Sequence, residues 1–270
     1  MDQRRAGMMA SIEDNLADQA RAFASASPLI WVRDEGHILR IESDVPHPYV
    51  NRVLWARVPA PLADQTVQEV VSTYRSRRVP LNWMVGPSSA PVDLGDHLLS
   101  AGLIRERDEV GMAVDLAALP EELDMPTGLA VHRVADGASL VQWAEIVGAS
   151  FGLPEYLRSL LCDALAGAVE GEVSAWRLFL GALDGEAVGA SRLFLHSGAV
   201  GVYHVATVPG ARRRGVGSAM TFAALSEARR LGYPLAVLRA DSSAQSLYTR
   251  LGFKEYCRFG WYVWPEEGIY

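Results

Sequence analysis

Between Trp176 and Gly232 the hydrophobic pattern switches once, from strand-like alternation to the three- and four-residue steps of a helix, and that order narrows the folds open to the chain. The stretch WRLFLGALDGEAVGASRLFLHSGAVGVYHVATV holds three strand-like runs. Asp184-Gly185 and Ser197-Gly198 separate them, both natural turns between adjacent antiparallel strands. The third run passes through Pro209 and Gly210 into RRRGVGSAMTFAALSEARRLG. Its Met220, Phe222, Leu225, Ala228 and Leu231 suit a helix packed on a sheet, closed by Gly232. A strand from Leu235 to Ala240 follows, then a short helix from Ala244 to Leu251 ending at Gly252, and KEYCRFGWYVW as a last strand or hairpin.

The junction between the third run and the helix, Thr207 to Ser218, has the composition of an anion site. Pro209 ends the strand because it has no N–H to give to a ladder. Gly215 and Gly217 let backbone approach a ligand where a β-carbon would intrude. The first helical turn leaves its N–H groups unpaired, and with the helix dipole they suit phosphate oxygens. Arg212, Arg213 and Arg214 stand together in a chain of formal net charge −7, which points to one anionic ligand rather than a polyanion. A solvated helix start is the plainer reading of these arginines, but cations at a helix N-terminus are disfavoured unless an anion sits among them. A dinucleotide-binding Gly-x-Gly-x-x-Gly is excluded, because Met220 stands where its third glycine belongs and hairpins precede it.

These residues resemble the acetyl-CoA loop of the GNAT superfamily of acyl-CoA-dependent N-acyltransferases, Pro-x-x-Arg/Gln-x-x-Gly-x-Gly/Ala, at Pro209, Arg212, Gly215 and Gly217. DSSAQSLYTRLGF, Asp241 to Phe253, is similar to that family's Asn-x-x-A-x-x-LYxxLGF segment. The resemblance implies that backbone of Val205, Ala206 and Thr207 bonds the pantetheine arm beside a strand bulge. It implies that Arg212, Arg213, Arg214, Gly215, Val216, Gly217 and Ser218 hold the pyrophosphate. It also gives Tyr248 a cofactor contact and the task of protonating the departing CoA thiolate, for which a phenol is suited. A core aromatic beside Leu247 and Leu251 is the other reading of Tyr248. Asp241 replaces the family's usual Asn at a cofactor position. His204 and Tyr203 are the candidate general bases, set on opposite faces by strand alternation. The implied reaction moves an acetyl group from acetyl-CoA to a primary amine of a small molecule in a ternary complex. A non-catalytic acyl-CoA sensor and a protein or peptide N-acetyltransferase are the alternatives.

Upstream, helical patterns cover Ile12 to Ala26, Ala63 to Arg77, Ala138 to Phe151 and Pro154 to Val169, with a mixed strand-like segment from Leu29 to Ile41. LNWMVG, the breaker cluster GPSSAP, the helix DLGDHLLSAGL and a strand from Val110 to Leu116 resemble the closing part of a second GNAT-like domain, Ala101-Gly102-Leu103 echoing Leu251-Gly252-Phe253. The loop after Val85 lacks Arg-x-x-Gly-x-Gly, so this repeat is expected to bind CoA poorly or not at all. LPEELDMPTG, with two prolines and a cluster of acids, reads as a linker. The expectation is an α+β fold of two tandem GNAT-like domains: residues 1–118 degenerate, 119–128 linker, 129–270 catalytic.

Half of the 270 residues are hydrophobic, which supplies a core without disulfide staples. Cys162 and Cys257 are too few for a disulfide framework and lack metal spacing, so both are expected as reduced cytoplasmic thiols, with no metal in the chemistry. His37, His47, His97, His132 and His196 have no metal-spaced partners, Trp31, Trp55, Trp83, Trp143 and Trp176 read as core, and Glu266 and Glu267 as a solvated tail. The acidic balance argues against nucleic-acid binding. No apolar run reaches the length of a membrane span. The expected partners are acetyl-CoA and an amine acceptor, and oligomeric state is left open, a homodimer included.

Overall fold

The structure, a computed structural model, describes residues 3–170, 174–196 and 198–264. The turn residue Ser197 and the tail residues Glu266 and Glu267 lie outside them. The chain runs α1 (Gln3–Ser25), β1 (Ile30–Asp34), β2 (Ile38–Ser43), β3 (Arg52–Ala56), α2 (Ala63–Arg77), β4 (Leu81–Val85), α3 (Leu94–Ser100) and β5 (Ile104–Asp115). It continues with β6 (Leu129–Arg133), α4 (Gly137–Phe151), α5 (Glu155–Glu170), β7 (Trp176–Leu183), β8 (Glu186–Leu195), β9 (Val200–Thr207), α6 (Val216–Arg230), β10 (Leu235–Ala240), α7 (Gln245–Arg250) and β11 (Lys254–Trp264). None of the described helices is long and apolar enough to cross a membrane.

Two compact units result. The first comprises Met1–Gly111, Arg239–Ser242 and Tyr256–Tyr270, the second Met112–Leu238 and Ser243–Glu255. The expected boundary across 119–128 is therefore displaced: the units part at Gly111 and Met112, inside β5, and most of β11 belongs to the first unit. Strand pairing is the cause. In the first unit the strand order is β1-β2-β3-β4-β11-β5, and β11 pairs antiparallel with β4 from Gly260 opposite Val85 to Trp264 opposite Leu81. In the second the order is β5-β10-β9-β8-β7-β6. The second repeat thus gives most of its closing strand to the first unit, and β5 is shared between the two, a choice that local patterning cannot encode.

Within each unit one theme recurs. β3 leads through Arg57 into Val58-Pro59, passes through a turn of 3-10 helix at Ala60–Leu62, enters the 15-residue α2, and returns as β4 parallel to β3. β9 leads into Val208-Pro209, passes through a 3-10 turn at Pro209–Ala211, enters the 15-residue α6, and returns as β10 parallel to β9. Both strands carry a register shift against their antiparallel neighbour, opposite Leu39/Arg40 in one case and Ala190/Arg192 in the other. The mixed sheet, mostly antiparallel and flanked by helices, is the expected α+β fold in tandem.

This repeat corrects one reading. The counterpart of the Thr207–Ser218 junction in the first half is the connection from Arg57 to Leu62, not the loop after Val85, which corresponds to the β10–α7 connection. The sequence reading passes over β3 as a strand and so lands one element too late.

The second unit's sheet admits α6 closely. A β-carbon on Gly181 would meet Met220 Sδ at 2.6 Å, and one on Gly189 would meet Val216 Cγ1 at 2.8 Å. Glycines on β7 and β8 therefore receive the first turns of α6, and Met220 is fully buried there. The hairpin at Asp184-Gly185 has φ of 51° and 89°, both positive, as a two-residue turn matched to strand twist requires.

Candidate functional site

The bulge in β9 is the first determinant of the site. Ala190 pairs with Ala206 and Arg192 with Tyr203, so Ser191 alone stands opposite His204 and Val205. His204 is driven to φ 50°. The carbonyl of Ser191 accepts the indole N–H of Trp143 on α4 at 3.0 Å, and its hydroxyl donates to the Met220 carbonyl at 3.1 Å.

The bulge also revises the expectation for the two candidate bases. Alternation sets consecutive side chains on opposite faces only in regular strand, and His204 is not in extended backbone. Its ring packs edge-on to Trp143 at 5.5 Å and Phe151 at 6.0 Å, both on α4. Tyr203 lies across from Arg192, whose guanidinium carbon sits 5.6 Å from the Tyr203 ring and 4.3 Å from that of Trp176. Gly189 and Ser191 on β8 face α6, so Arg192, one residue on, faces the α4 side with Tyr203. Both candidates thus look to the same side of the sheet.

Past the bulge the ladder with β8 is regular. The Val208 N–H donates to the Val188 carbonyl at 3.0 Å, and alternation turns the backbone groups of Ala206 toward β8 and those of Val205 and Thr207 away from it. The Thr207 carbonyl accepts from Arg212 Nε at 3.1 Å and Ser150 Oγ at 3.3 Å. The parallel pairing of β9 with β10 covers Ala236 with Val200 and Val237 with Gly201.

The turn then opens to solvent, Arg212 through Gly215 being exposed. Arg213 has φ 63°, and Gly215, the N-cap of α6, has φ 84°. A non-glycine residue at Gly215 would be strained, and its β-carbon would stand 3.2 Å from Pro126 Cγ. The backbone N–H groups of Ala211 and Arg212 close the 3-10 turn on Val208 and Pro209, and α6 begins its own bonds with Ala219 N–H to the Gly215 carbonyl. Between them, the amides of Arg213, Arg214, Gly215, Val216, Gly217 and Ser218 have no protein acceptor among the described residues. That run of donors, at the positive end of a 15-residue helix and flanked by two exposed guanidinium groups, fits a diphosphate.

α7 closes over the first turn of α6. Leu247 Cδ1 lies 3.0 Å from the position a β-carbon of Gly217 would take, so Gly217 serves close packing as well as backbone access. Tyr248, one residue on, is buried, with its ring edge-on to Phe253 at 5.8 Å. Its carbonyl accepts the Leu251 and Phe253 amides that end the helix. Asp241, just after β10, is exposed and groups with the first unit rather than with the turn. The site thus brings together β9, the turn, α6 and α7. Sequence reading missed Ser150, Trp143 and Pro126 as its supports, because each acts through a contact between residues far apart in the chain.

Comparison with known proteins bears on the same segment. Residues 175–255 match the family model of the acetyltransferase (GNAT) domain. The mycothiol acetyltransferase of Thermomonospora curvata is 30% identical over 161 residues, covering 57% of this chain and 54% of that protein. The chain thus spans about half the length of the curated relative it matches. A solved GCN5-related N-acetyltransferase from Kribbella flavida superposes with a TM-score of 0.74 over 97% of both chains at 18% identity. A tandem GNAT protein from the clavulanic acid biosynthesis pathway gives 0.62 over 97% of this chain and 95% of that one, at 13% identity. At such identities the two structures speak for the fold. Residues 175–255, within the second repeat, are thus similar to the acetyltransferase (GNAT) domain.

Proposed function

We propose that the protein transfers an acetyl group from acetyl-CoA to a primary amine of a small molecule, by direct attack within a ternary complex. The observation that carries this reading is the exposed turn followed by six backbone N–H groups, Arg213 to Ser218, without internal acceptors. Those amides and Arg213 and Arg214 would hold the diphosphate, while the outward-turned backbone of Val205 and the Thr207 N–H would bond the pantetheine arm. Ala206, whose backbone turns into the β8 ladder, would set their spacing rather than bond the arm itself. Acetyl-CoA supplies an acyl group already activated as a thioester.

The chain's own residues then manage protons. Tyr248 would hold the proton that passes to sulfur as the carbon–sulfur bond breaks. The proton shed by nitrogen as the carbon–nitrogen bond forms would leave through His204, Tyr203 or water. His204 sits edge-on to the rings of Trp143 and Phe151, which hold it in place on the α4 side. A cytoplasmic setting, with Cys162 and Cys257 as free thiols, completes the reading.

Calorimetric titration with acetyl-CoA tests it. One saturable event per chain is expected, and none for Gly217→Glu, whose side chain meets Leu247 and places a carboxylate among the donors. No saturable binding by the wild type would overturn the proposal. Thiol release across an amine panel, including the acceptor of the mycothiol acetyltransferases, then separates a transferase from a sensor.

A further inference from the structure

The segment between β5 and β6 runs beside α6 and is fixed to it at both ends. At the C-terminal end of the helix, Arg229 Nη1 donates to the carbonyls of Leu119 at 2.8 Å and Pro120 at 3.3 Å, and the Leu116 N–H donates to the Pro234 carbonyl at 2.9 Å. At the N-terminal end, Pro126 Cγ stands 3.2 Å from the β-carbon position of Gly215. From there the chain is pinned again: the Leu129 N–H donates to the Pro126 carbonyl at 3.0 Å, and the Asp184 N–H to the Gly128 carbonyl at 3.0 Å. α6 rises about 1.5 Å per residue, so roughly 21 Å of helix separates the two contacts. The few residues from Leu119 to Pro126 cover most of that distance only when largely extended, at about 3.3 Å each, and no regular structure is assigned from 120 to 126.

We infer that residues 119–126 act as a strap that holds the turn in its binding shape, with Pro126 as the positioning residue. The inference rests on the reading of that turn as the acetyl-CoA site. Gly215 is the most permissive backbone position in the turn, and the amides on either side of it aim correctly only while its φ stays near the left-handed value. The rigid pyrrolidine ring against its Cα side removes alternative conformations, so less ordering cost falls on ligand binding. The linker, which reads in sequence as a mere spacer, thereby tunes the affinity of the site.

The test uses the full chain and CoA itself as probe. Pro126→Ala is expected to raise the Kd for CoA by about five-fold while leaving the melting temperature of the ligand-free protein unchanged, and to speed hydrogen exchange at residues 213–218. Arg229→Gln, at the far end of the helix, should shift Kd in the same direction by roughly two-fold. Glu121→Gln, on the exposed strap, should change nothing. A role in stability alone would lower the melting temperature and spare both the Kd and the local exchange, and that result would overturn the strap. CoA binding by the wild type that Pro126→Ala leaves unaltered overturns it too, with the cofactor site intact. Absence of binding by the wild type removes the site itself.

Discussion

The connection from β3 to α2 and the connection from β9 to α6 share a plan, a Val-Pro strand end, a 3-10 turn and a 15-residue helix, and they diverge at three points. The second has eight residues between strand and helix, 208–215, and the first has six, 57–62. Gly215 caps α6 with φ 84°, whereas Leu62 caps α2 with φ −105°. The charges are reversed: Arg213 and Arg214 lead into α6, while α2 has Asp64 in its first turn, bonded to His97 Nδ1 at 2.6 Å.

The first unit also fills the side of its strand. The Ala90 N–H donates to the Ala56 carbonyl and the Val58 N–H to the Ala90 carbonyl, each at 2.9 Å. The loop carrying Ala90 is held by Glu13, whose carboxylate accepts from the Ser88 N–H at 3.1 Å and hydroxyl at 3.0 Å, with Arg57 donating to the same hydroxyl. The chain's own peptide therefore takes the main-chain bonds of the first strand end. On the proposed reading, one supersecondary unit becomes a receptor or a brace according to a two-residue difference, one left-handed glycine and the sign of its first turn.

The sharpest way to break this comparison is a matched pair of substitutions. Gly215→Val puts a β-branched residue at positive φ and against Pro126, and should weaken CoA binding by about 100-fold, equivalent to roughly 3 kcal/mol. Leu62→Val, at the corresponding cap, should leave binding as it is. Calorimetry on both decides, and equal losses would erase the distinction between the turns.

Next in size is Gly86→Ala. Its β-carbon would lie 2.7 Å from both Glu13 Oε1 and Phe259 Cε1. Denaturant unfolding should show a loss of about 2 kcal/mol with CoA affinity unchanged. A change in affinity instead would mean that the first unit shares in binding.

Glu13→Gln probes the same brace through pH. Burial pushes the Glu13 carboxyl above the usual carboxylate range, against the lowering effect of the Ser88 donors and Arg57. A raised carboxyl gives stability at low pH that is lost as pH climbs through its folded value. The glutamine variant should therefore gain on the wild type by about 1 kcal/mol between pH 4 and pH 7, and a parallel pH dependence of the two would refute the assignment. The smallest effect belongs to His97, raised chiefly by its bond to Asp64. This pair stabilises below about pH 6.5 and fades as pH rises through the raised value. Because Asp64 is exposed, His97→Gln should cost only a few tenths of a kcal/mol at pH 6 and less at pH 9.

The segments with strong periodicity were legible without coordinates. Ala63–Arg77 and Leu235–Ala240 fall where the pattern sets them, and Asp184-Gly185 makes the predicted turn, because these signals are local: an apolar face, a glycine stop, a two-residue loop. α1 begins earlier than its apolar pattern, at Gln3, and β6 gave no signal, being short and only half covered. The most costly omission was β3. RVLWA is a short buried strand with no alternation, so nothing local marks the connection after it as the first repeat's counterpart of the Thr207–Ser218 junction.

The sequence by itself determined the order of elements and the character of the Thr207–Ser218 junction. Proline, paired glycines and arginines act on the backbone within a few residues of themselves, so their effect is written where they stand. Only the tertiary structure decided which strand closes which unit, which side His204 faces once the bulge removes alternation, and that Pro126 rests on Gly215 while Ala90 fills the strand edge of the first unit. Those outcomes depend on hydrogen-bond partners and close contacts between residues distant in the chain, and a single sequence carries no local mark of who meets whom.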